Sequence, residues 1–118
     1  MRLTFLGTGS AIPSERVQSG LLLDDDALLF DCGSGVLHNL DRSSVAPDDV
    51  PAVFFTHAHV DHVNDLLPLI KADWLLGREE LEIYGPVGIH DTIRGLFDVY
   101  DYMQGKVSIE IFEIEPGA

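Results

Sequence analysis

The chain of 118 residues is short of lysine, cysteine and long apolar runs. Its single cysteine, Cys32, excludes a disulfide within the chain. Only Lys71 and Lys106 are lysines, and 7 Lys and Arg stand against 20 Asp and Glu, for a net charge of −13. Binding to a phosphate backbone depends on Lys and Arg, so this composition disfavours a general nucleic-acid surface. A solvated acidic surface is the simplest interpretation of the charge.

No apolar run approaches the length of a membrane span, and the N-terminal residues lack the layout of a secretory leader. We therefore expect a protein without a membrane segment, located in the cytoplasm. The hydrophobic fraction of 46% and the charged fraction of 23% are typical of a globular chain. The length is sufficient for one domain with a hydrophobic core.

Apolar runs separated by turn residues predict a chain of mixed secondary structure. Strands are expected over residues 2–6, 20–23, 27–30, 51–56, 81–84 and 107–114, the second and third forming a hairpin. Helices are expected over residues 36–40, 64–76 and 87–102, with Gly77 ending the second of them. Strands that come first and then alternate with helices indicate an α+β fold, a mixed sheet with helices packed against it.

Three of the five histidines lie within one short motif, His57-Ala58-His59-Val60-Asp61-His62, directly after a predicted buried strand. Imidazole is a common metal ligand because it is largely neutral near pH 7. His57 and His59 lean to the same side of an extended backbone, so both can reach one ion. A turn at Asp61 and His62 would let both side chains reach a second position. Zinc suits this set of ligands, and manganese or iron are possible substitutes.

A metal centre of this kind predicts hydrolysis. A catalytic zinc ion holds a water and lowers its pKa to about 7, and two ions about 3.5–4 Å apart can stabilise both the attacking and the leaving oxygen. Acyl esters, amides, thioesters and phosphodiesters are all open as substrates. Asp61 is the carboxylate within the motif, so it is a candidate both for metal binding and for accepting the water proton. His38 and His90 lie outside the motif and are expected at the surface.

The motif matches the HxHxDH signature of the metallo-β-lactamase superfamily. Residues 5–14, the turn at residues 31–35 and the stretch 81–86 further resemble ribonuclease Z and its close relatives, which cut the 3′ trailer from precursor tRNA. The resemblance implies a four-layer αββα fold with two zinc ions between two sheets. It also implies that His57 and His59 bind the first Zn²⁺, and that Asp61 and His62 bind the second. Asp61 would accept a proton in catalysis, and a hydroxide activated by the two metal ions would carry out the hydrolysis.

Other residues near the motif have two interpretations each. Asp31 is either a support residue for the site or simply a turn former. Gly7, Gly9, Gly33 and Gly35 either permit tight turns near the site or cradle a phosphate directly. In ribonuclease Z the stretch after the Asp-Cys-Gly turn commonly contains a glutamate, a threonine and a glutamine, whereas residues 33–38 of this chain are Gly-Ser-Gly-Val-Leu-His.

The leading hypothesis is a zinc-dependent phosphodiesterase like ribonuclease Z, with precursor tRNA as a candidate substrate. One alternative is a hydrolase of small phosphodiesters, sulfate esters or other small esters. Another is a non-catalytic metal-binding half-domain or assembly partner. The family takes a further His, an Asp and a last His from positions beyond residue 118, and this chain has no histidine after His90.

Residues 1–118 are therefore expected to form the N-terminal part of a single domain, about half of the four-layer sandwich, with helices on one face of its sheet. The other face would carry an uncovered apolar patch larger than monomers usually expose. We predict a homo-oligomer, or pairing with a chain that supplies the missing half, detectable by sedimentation of the isolated chain. A monomer with no exposed apolar face would contradict this prediction.

Overall fold

The sheet contains six strands in the computed structural model, which describes residues 1–116. They are β1 (Leu3–Gly7), β2 (Gly20–Leu23), β3 (Leu28–Phe30), β4 (Ala52–Phe54), β5 (Glu80–Gly85) and β6 (Ser108–Glu113). Their spatial order follows the chain. β1, β2 and β3 pair antiparallel, and β3, β4, β5 and β6 pair parallel. The predicted hairpin and mixed sheet are confirmed.

Four α-helices lie between the strands of the described residues: α1 (Val36–Asp41), α2 (Val60–Val63), α3 (Leu66–Leu76) and α4 (Ile89–Val99). Short 3₁₀ turns occupy Pro47–Asp49 and Asp101–Met103. Gly77 ends α3 with a left-handed φ of 90°, as predicted. None of the helices described in residues 1–116 is long and apolar enough to cross a membrane.

Two helix boundaries differ from the prediction. The helix expected over 64–76 begins only at Leu66, because α2 forms separately within the histidine motif. The helix expected over 87–102 is interrupted at Tyr100, where φ is −101° and ψ is 57°. Apolar residues continue at helical spacing through Tyr100, so their pattern does not reveal the break in the backbone.

One face of the sheet carries the core. Side chains in neighbouring strands align in rows, and one row lies against the helices: Leu22, Leu29, Val53, Ile83 and Ile111. The first four of these side chains are fully buried. They form a single cluster with apolar residues of α1, α3 and α4, which include Val36, Leu69 and Ile93. Burial of this row explains why the helices lie on this face.

The opposite face carries a second apolar row, in which Phe30, Phe54, Tyr84 and Phe112 follow one another across β3 to β6. Their rings stack with centroid separations of 5.0, 4.5 and 4.9 Å. We call these four residues the aromatic row. Phe5 and Leu21 extend it across β1 and β2. The described residues leave it partly open, since Phe5 is 69% exposed and Phe112 is 39% exposed.

The buried side of α3 contains a carboxylate. The buried residues of this helix are Leu66, Leu69, Ile70 and Asp73. Leu75 lies at a spacing that fits the apolar face of this helix, yet it is 69% exposed. Among the described residues, neither carboxylate oxygen of Asp73 has a hydrogen-bond partner. Burial raises the pKa of Asp73 from 3.8 to about 7, while Arg78 lowers it and Asp48 raises it further.

Asp73 should make the protein less stable as the pH rises. Its folded-state pKa lies above its unfolded value, so folding takes up a proton between them. The stabilisation is complete below a pH of about 3.8 and is lost as the pH rises through about 7. Between these two pH values, the free energy of unfolding of Asp73→Asn should rise relative to that of the wild type by up to about 1.4 kcal/mol per pH unit.

Urea denaturation at a series of pH values measures this difference. Asp98→Asn, at an exposed position of α4, is the matched control and should follow the wild type. Parallel stability curves for the wild type and Asp73→Asn would show that Asp73 does not bind the proton.

Candidate metal centre

The histidine motif lies at the carboxyl edge of the sheet. β3 and β4 are parallel neighbours, so both strands end at this edge. Asp31 follows β3, and its N–H donates to the carbonyl oxygen of Phe54, the last residue of β4, at 2.8 Å. Thr56 and the motif come two residues later. This is the position expected from the sequence, just past the C-terminal end of a buried strand.

The motif changes conformation between its two halves. His59 is extended, with φ −65° and ψ 145°, as expected for the first half. The predicted turn at Asp61 and His62 is a four-residue helix, α2. The chain therefore presents His57 and His59 from a loop and presents Asp61 and His62 from one helical turn.

Asp31 connects this motif to the sheet. Its Oδ1 accepts from the Thr56 N–H at 2.9 Å, and its Oδ2 accepts from Thr56 Oγ1 at 2.9 Å. Oδ2 also lies 2.8 Å from Nδ1 of His62. The side chain is buried, and the backbone adopts a left-handed φ of 62°, which aspartate tolerates better than most residues. Asp31 thus both forms the turn and contacts the motif.

These contacts fix the position of the ring protons. An ionised Asp31 can only accept, so the single hydroxyl proton of Thr56 points to Asp31. Thr56 Oγ1 lies 2.9 Å from Nδ1 of His57 and must therefore accept from that nitrogen. His62 likewise donates its Nδ1 proton to Asp31. In their neutral forms, His57 and His62 both keep the Nε2 lone pair free.

The free nitrogens and the motif carboxylate lie close together. The His57 ring centroid lies 4.4 Å from that of His59 and 4.0 Å from that of His62. Nε2 of His62 is 3.4 Å from Oδ2 of Asp61. With the His62 proton on Nδ1, these two atoms are both electron-pair donors, and a cation shared between them would remove their repulsion. The donor set therefore fits a metal such as zinc.

The described residues supply only part of such a site. Within residues 1–116, no three His, Cys, Asp or Glu side chains are arranged to hold one ion. The pairing of His57 with His59 and of Asp61 with His62 stays a prediction, because the His57 ring lies about as close to the ring of His62 as to that of His59. Zinc usually takes four ligands, so each position would need further donors.

The turn that follows Asp31 packs closely against α2. The Cys32 N–H donates to the His62 carbonyl at 2.7 Å, and a Cβ on Gly33 would lie 2.2 Å from the Asp61 carbonyl oxygen. Burial, and then the charges of Asp65 and Asp31, raise the pKa of the Cys32 thiol well above its ordinary value. A protonated, buried thiol is a poor metal ligand, which agrees with the choice of ligands made from the motif.

The remaining candidates from the sequence are two histidines outside the motif and the glycines near it. His38 and His90 are exposed and lie outside the motif, as predicted. Gly35 has the left-handed φ of 93° that favours glycine, whereas Gly7 and Gly9 lie against the backbone of residues 16–18. Sequence reasoning gave Thr56 no role, although its place between the strand and the motif was a usable signal.

Gly33→Ala should separate the turn from α2. The added methyl group meets backbone rather than a movable side chain, so we expect a loss of about 2 kcal/mol or more in the free energy of unfolding. Gly95→Ala is the matched control, because a Cβ there meets nothing within 4 Å and the residue lies inside α4. It should instead stabilise the protein by about 1 kcal/mol. Thermal and urea unfolding measure both changes, and equal effects would contradict the close packing at Gly33.

Known proteins share this sequence pattern. A family model described as Anti-Pycsar protein Apyc1 matches residues 1–106. Similar curated proteins include the ribonuclease Z of Methanothermobacter thermautotrophicus, 40% identical over 121 residues, and that of Picosynechococcus sp., 38% identical over 123 residues. The alignments cover 99% of this chain but only 39% and 38% of those relatives. The chain thus spans less than half the length of the curated relatives it matches.

Solved structures share the fold. Human tRNase Z, short form (ELAC1), superposes with a TM-score of 0.82 at 34% identity, covering 98% of this chain and 45% of that one. The metallo-β-lactamase fold protein YhfI from Bacillus subtilis gives a TM-score of 0.78 at 28% identity, covering 98% and 46%. The α+β fold and the resemblance to ribonuclease Z are confirmed. Together with the match over residues 1–106, they show that the chain belongs to the family of the anti-Pycsar protein Apyc1, within the metallo-β-lactamase superfamily.

Proposed function

We propose that this chain carries half of the metal centre of a zinc-dependent phosphodiesterase. His57 and His59 bind one ion, and Asp61 and His62 bind the second. The observation that carries the proposal is the hydrogen-bond network of Asp31 and Thr56. Because this network holds the ring protons of His57 and His62 on Nδ1, the Nε2 atoms of both rings are free to bind a metal. Histidines of a merely polar loop would not need both Nδ1 atoms to be held in this way.

When bound, zinc supplies the Lewis acidity that makes water a competent nucleophile near neutral pH. The residues of this chain do the rest. Asp61 accepts the proton of the attacking water, since it is the carboxylate within the motif and its Oδ2 lies 3.4 Å from Nε2 of His62. Asp31 keeps the His62 ring oriented, and Thr56 does the same for His57.

A phosphodiester in RNA is the favoured substrate, with precursor tRNA the first candidate, because the similar curated proteins are ribonuclease Z enzymes. The charge favours a second candidate, a small phosphodiester. Both lysines lie beside one ring, with Lys71 Nζ at 4.0 Å and Lys106 Nζ at 5.3 Å from the centre of Trp74. Among the arginines, Arg2 is paired with Asp24, and Arg78 donates to the carbonyl oxygens of Glu80 and Asp48. With 7 Lys and Arg against 20 Asp and Glu, the chain gives a long polyanion little to follow.

The aromatic row supports a proposal on domain organisation. We infer that residues 1–118 form the N-terminal part of a single metallo-β-lactamase-like domain, whose other part covers the row and supplies the remaining metal ligands. A second copy of the chain, or another chain, is the alternative cover. The row offers stacked rings and apolar neighbours, which suits the inner face of a sandwich.

Single substitutions in the complete protein that contains this chain test the metal centre. We expect two zinc ions per protein, and His59→Ala should lose bound zinc together with phosphodiesterase activity. Asp61→Ala should lower kcat/KM by roughly 10²–10⁴-fold, because it removes the proton acceptor. Metal analysis is read together with cleavage of precursor tRNA and of a small chromogenic phosphodiester.

The exposed histidines provide the matched controls. His38→Ala and His90→Ala remove the same side chain outside the motif and should leave zinc content and activity unchanged. Activity on the small substrate alone would select the second candidate. Zinc without hydrolysis of either substrate would indicate the non-catalytic alternative. Full activity in both His59→Ala and Asp61→Ala would refute a metal-centred mechanism.

A further inference from the structure

Asp65 uses its side chain far from its own position in the sequence. It lies between α2 and α3 and precedes α3, yet its side chain makes no capping bond to that helix. Instead, Oδ2 accepts from the N–H of Gly35 at 2.9 Å and from the N–H of Leu37 at 3.0 Å. These donors belong to the start of α1, where the turn at residues 31–35 ends, about 30 residues earlier. The carboxylate thus ties the start of α1 to the segment that follows the histidine motif.

Backbone bonds join the same two segments. The Cys32 N–H donates to the His62 carbonyl at 2.7 Å, and the Asp65 N–H donates to the Cys32 carbonyl at 2.9 Å. Cys32 is therefore held on one side by His62 and on the other by Asp65. With the Asp65 carboxylate added, contacts to residues 62–65 extend from Cys32 to Leu37.

Asp31 lies at the beginning of this clamped segment. On its other side it is fixed by its N–H bond to the Phe54 carbonyl. Its left-handed backbone, with φ of 62°, directs Oδ2 to Nδ1 of His62 at 2.8 Å. If the segment that follows were free to move, this direction would no longer be fixed. The contacts of Asp65 therefore act together with the Phe54 and His62 bonds to hold the segment from which the Asp31 carboxylate projects.

We propose that Asp65 is a positioning residue for His62, acting through the turn and Asp31. Its importance for metal binding rests on the function proposed above, but its effect on the His62 ring does not. The competing explanation is that Asp65 merely stabilises the start of α1. Glu113 offers a direct comparison, because its Oε2 accepts from the N–H groups of Gly88 and His90 at the start of α4, away from the motif.

The test measures the His62 tautomer by ¹⁵N NMR in the metal-free complete protein, above the titration range of imidazole. In the wild type, the proton should reside on Nδ1. Asp65→Ala should raise the fraction with the proton on Nε2 and should weaken zinc binding about tenfold or more. Asp65→Asn keeps one oxygen acceptor and should return zinc affinity to within about threefold of the wild type.

Glu113→Ala is the matched control, since it removes the same kind of contact from a different helix. It should lower the melting temperature about as much as Asp65→Ala, with the His62 tautomer and zinc affinity unchanged. If Asp65→Ala leaves the tautomer unchanged, or if Glu113→Ala alters it equally, the proposal is wrong. Should Asp65→Ala fail to fold, Asp65→Glu, which moves the oxygen by one methylene, is judged by the same readouts.

The two proposals can fail separately. A wild-type protein that binds no zinc would overturn the proposed function, while the tautomer measurement would still decide the role of Asp65. A wild-type protein that binds zinc, together with an Asp65→Ala variant whose His62 tautomer and zinc affinity are unchanged, would keep the function and overturn the positioning role.

Discussion

The hydrogen bonds of the Asp31 carboxylate are the constraint on which the candidate site depends. This one buried group holds Thr56 by two donors and His62 by a third. Because β3 and β4 are parallel, their carboxyl ends lie side by side and bring Asp31 next to residues that follow β4. The sheet register therefore brings the Asp31 carboxylate to Nδ1 of His62, although the residues involved are 25 to 31 positions apart. The geometry of the candidate metal centre is thus a consequence of strand pairing.

The sequence predicted the parts of the molecule that depend on local pattern. The strands, the hairpin and the location of the motif follow from apolar runs and turn residues. The partnership of Asp65 with Gly35 and Leu37 could not be predicted, because it joins two loops that become neighbours only after the sheet has formed. Asp73 was missed for another reason: periodicity treats a carboxylate as a surface residue, whereas here it occupies a buried position of α3. The ligand pairs proposed from spacing and resemblance stay a prediction, and the proton positions argued for their rings required the contacts of Asp31.

Asp65, which precedes α3, and Asp73, which lies within α3, are carboxylates in different surroundings, and this difference helps to explain their roles. Asp65 accepts from two backbone N–H groups and so exchanges water for strong donors. Asp73 has no such donor among the described residues, and burial raises its pKa to about 7. A carboxylate with donors can organise its surroundings as an anion, whereas one without donors is most stable when protonated. The same residue type thus organises one end of the helix and destabilises the other near neutral pH.

The aromatic row and the candidate metal centre are connected through β4, which contributes to the row and is followed by the motif. This connection links the two proposals about the complete protein. Phe54 stacks within the row, and Thr56 begins the site two residues later. A layer that covers the row must therefore end close to the motif nitrogens. Ligands carried on that layer would be held by the burial of apolar surface, which is the strongest force available to fix them. Under the proposed domain organisation, the layer that packs on the aromatic row also supplies the remaining metal ligands. Loss of packing on the row would therefore also reduce metal affinity.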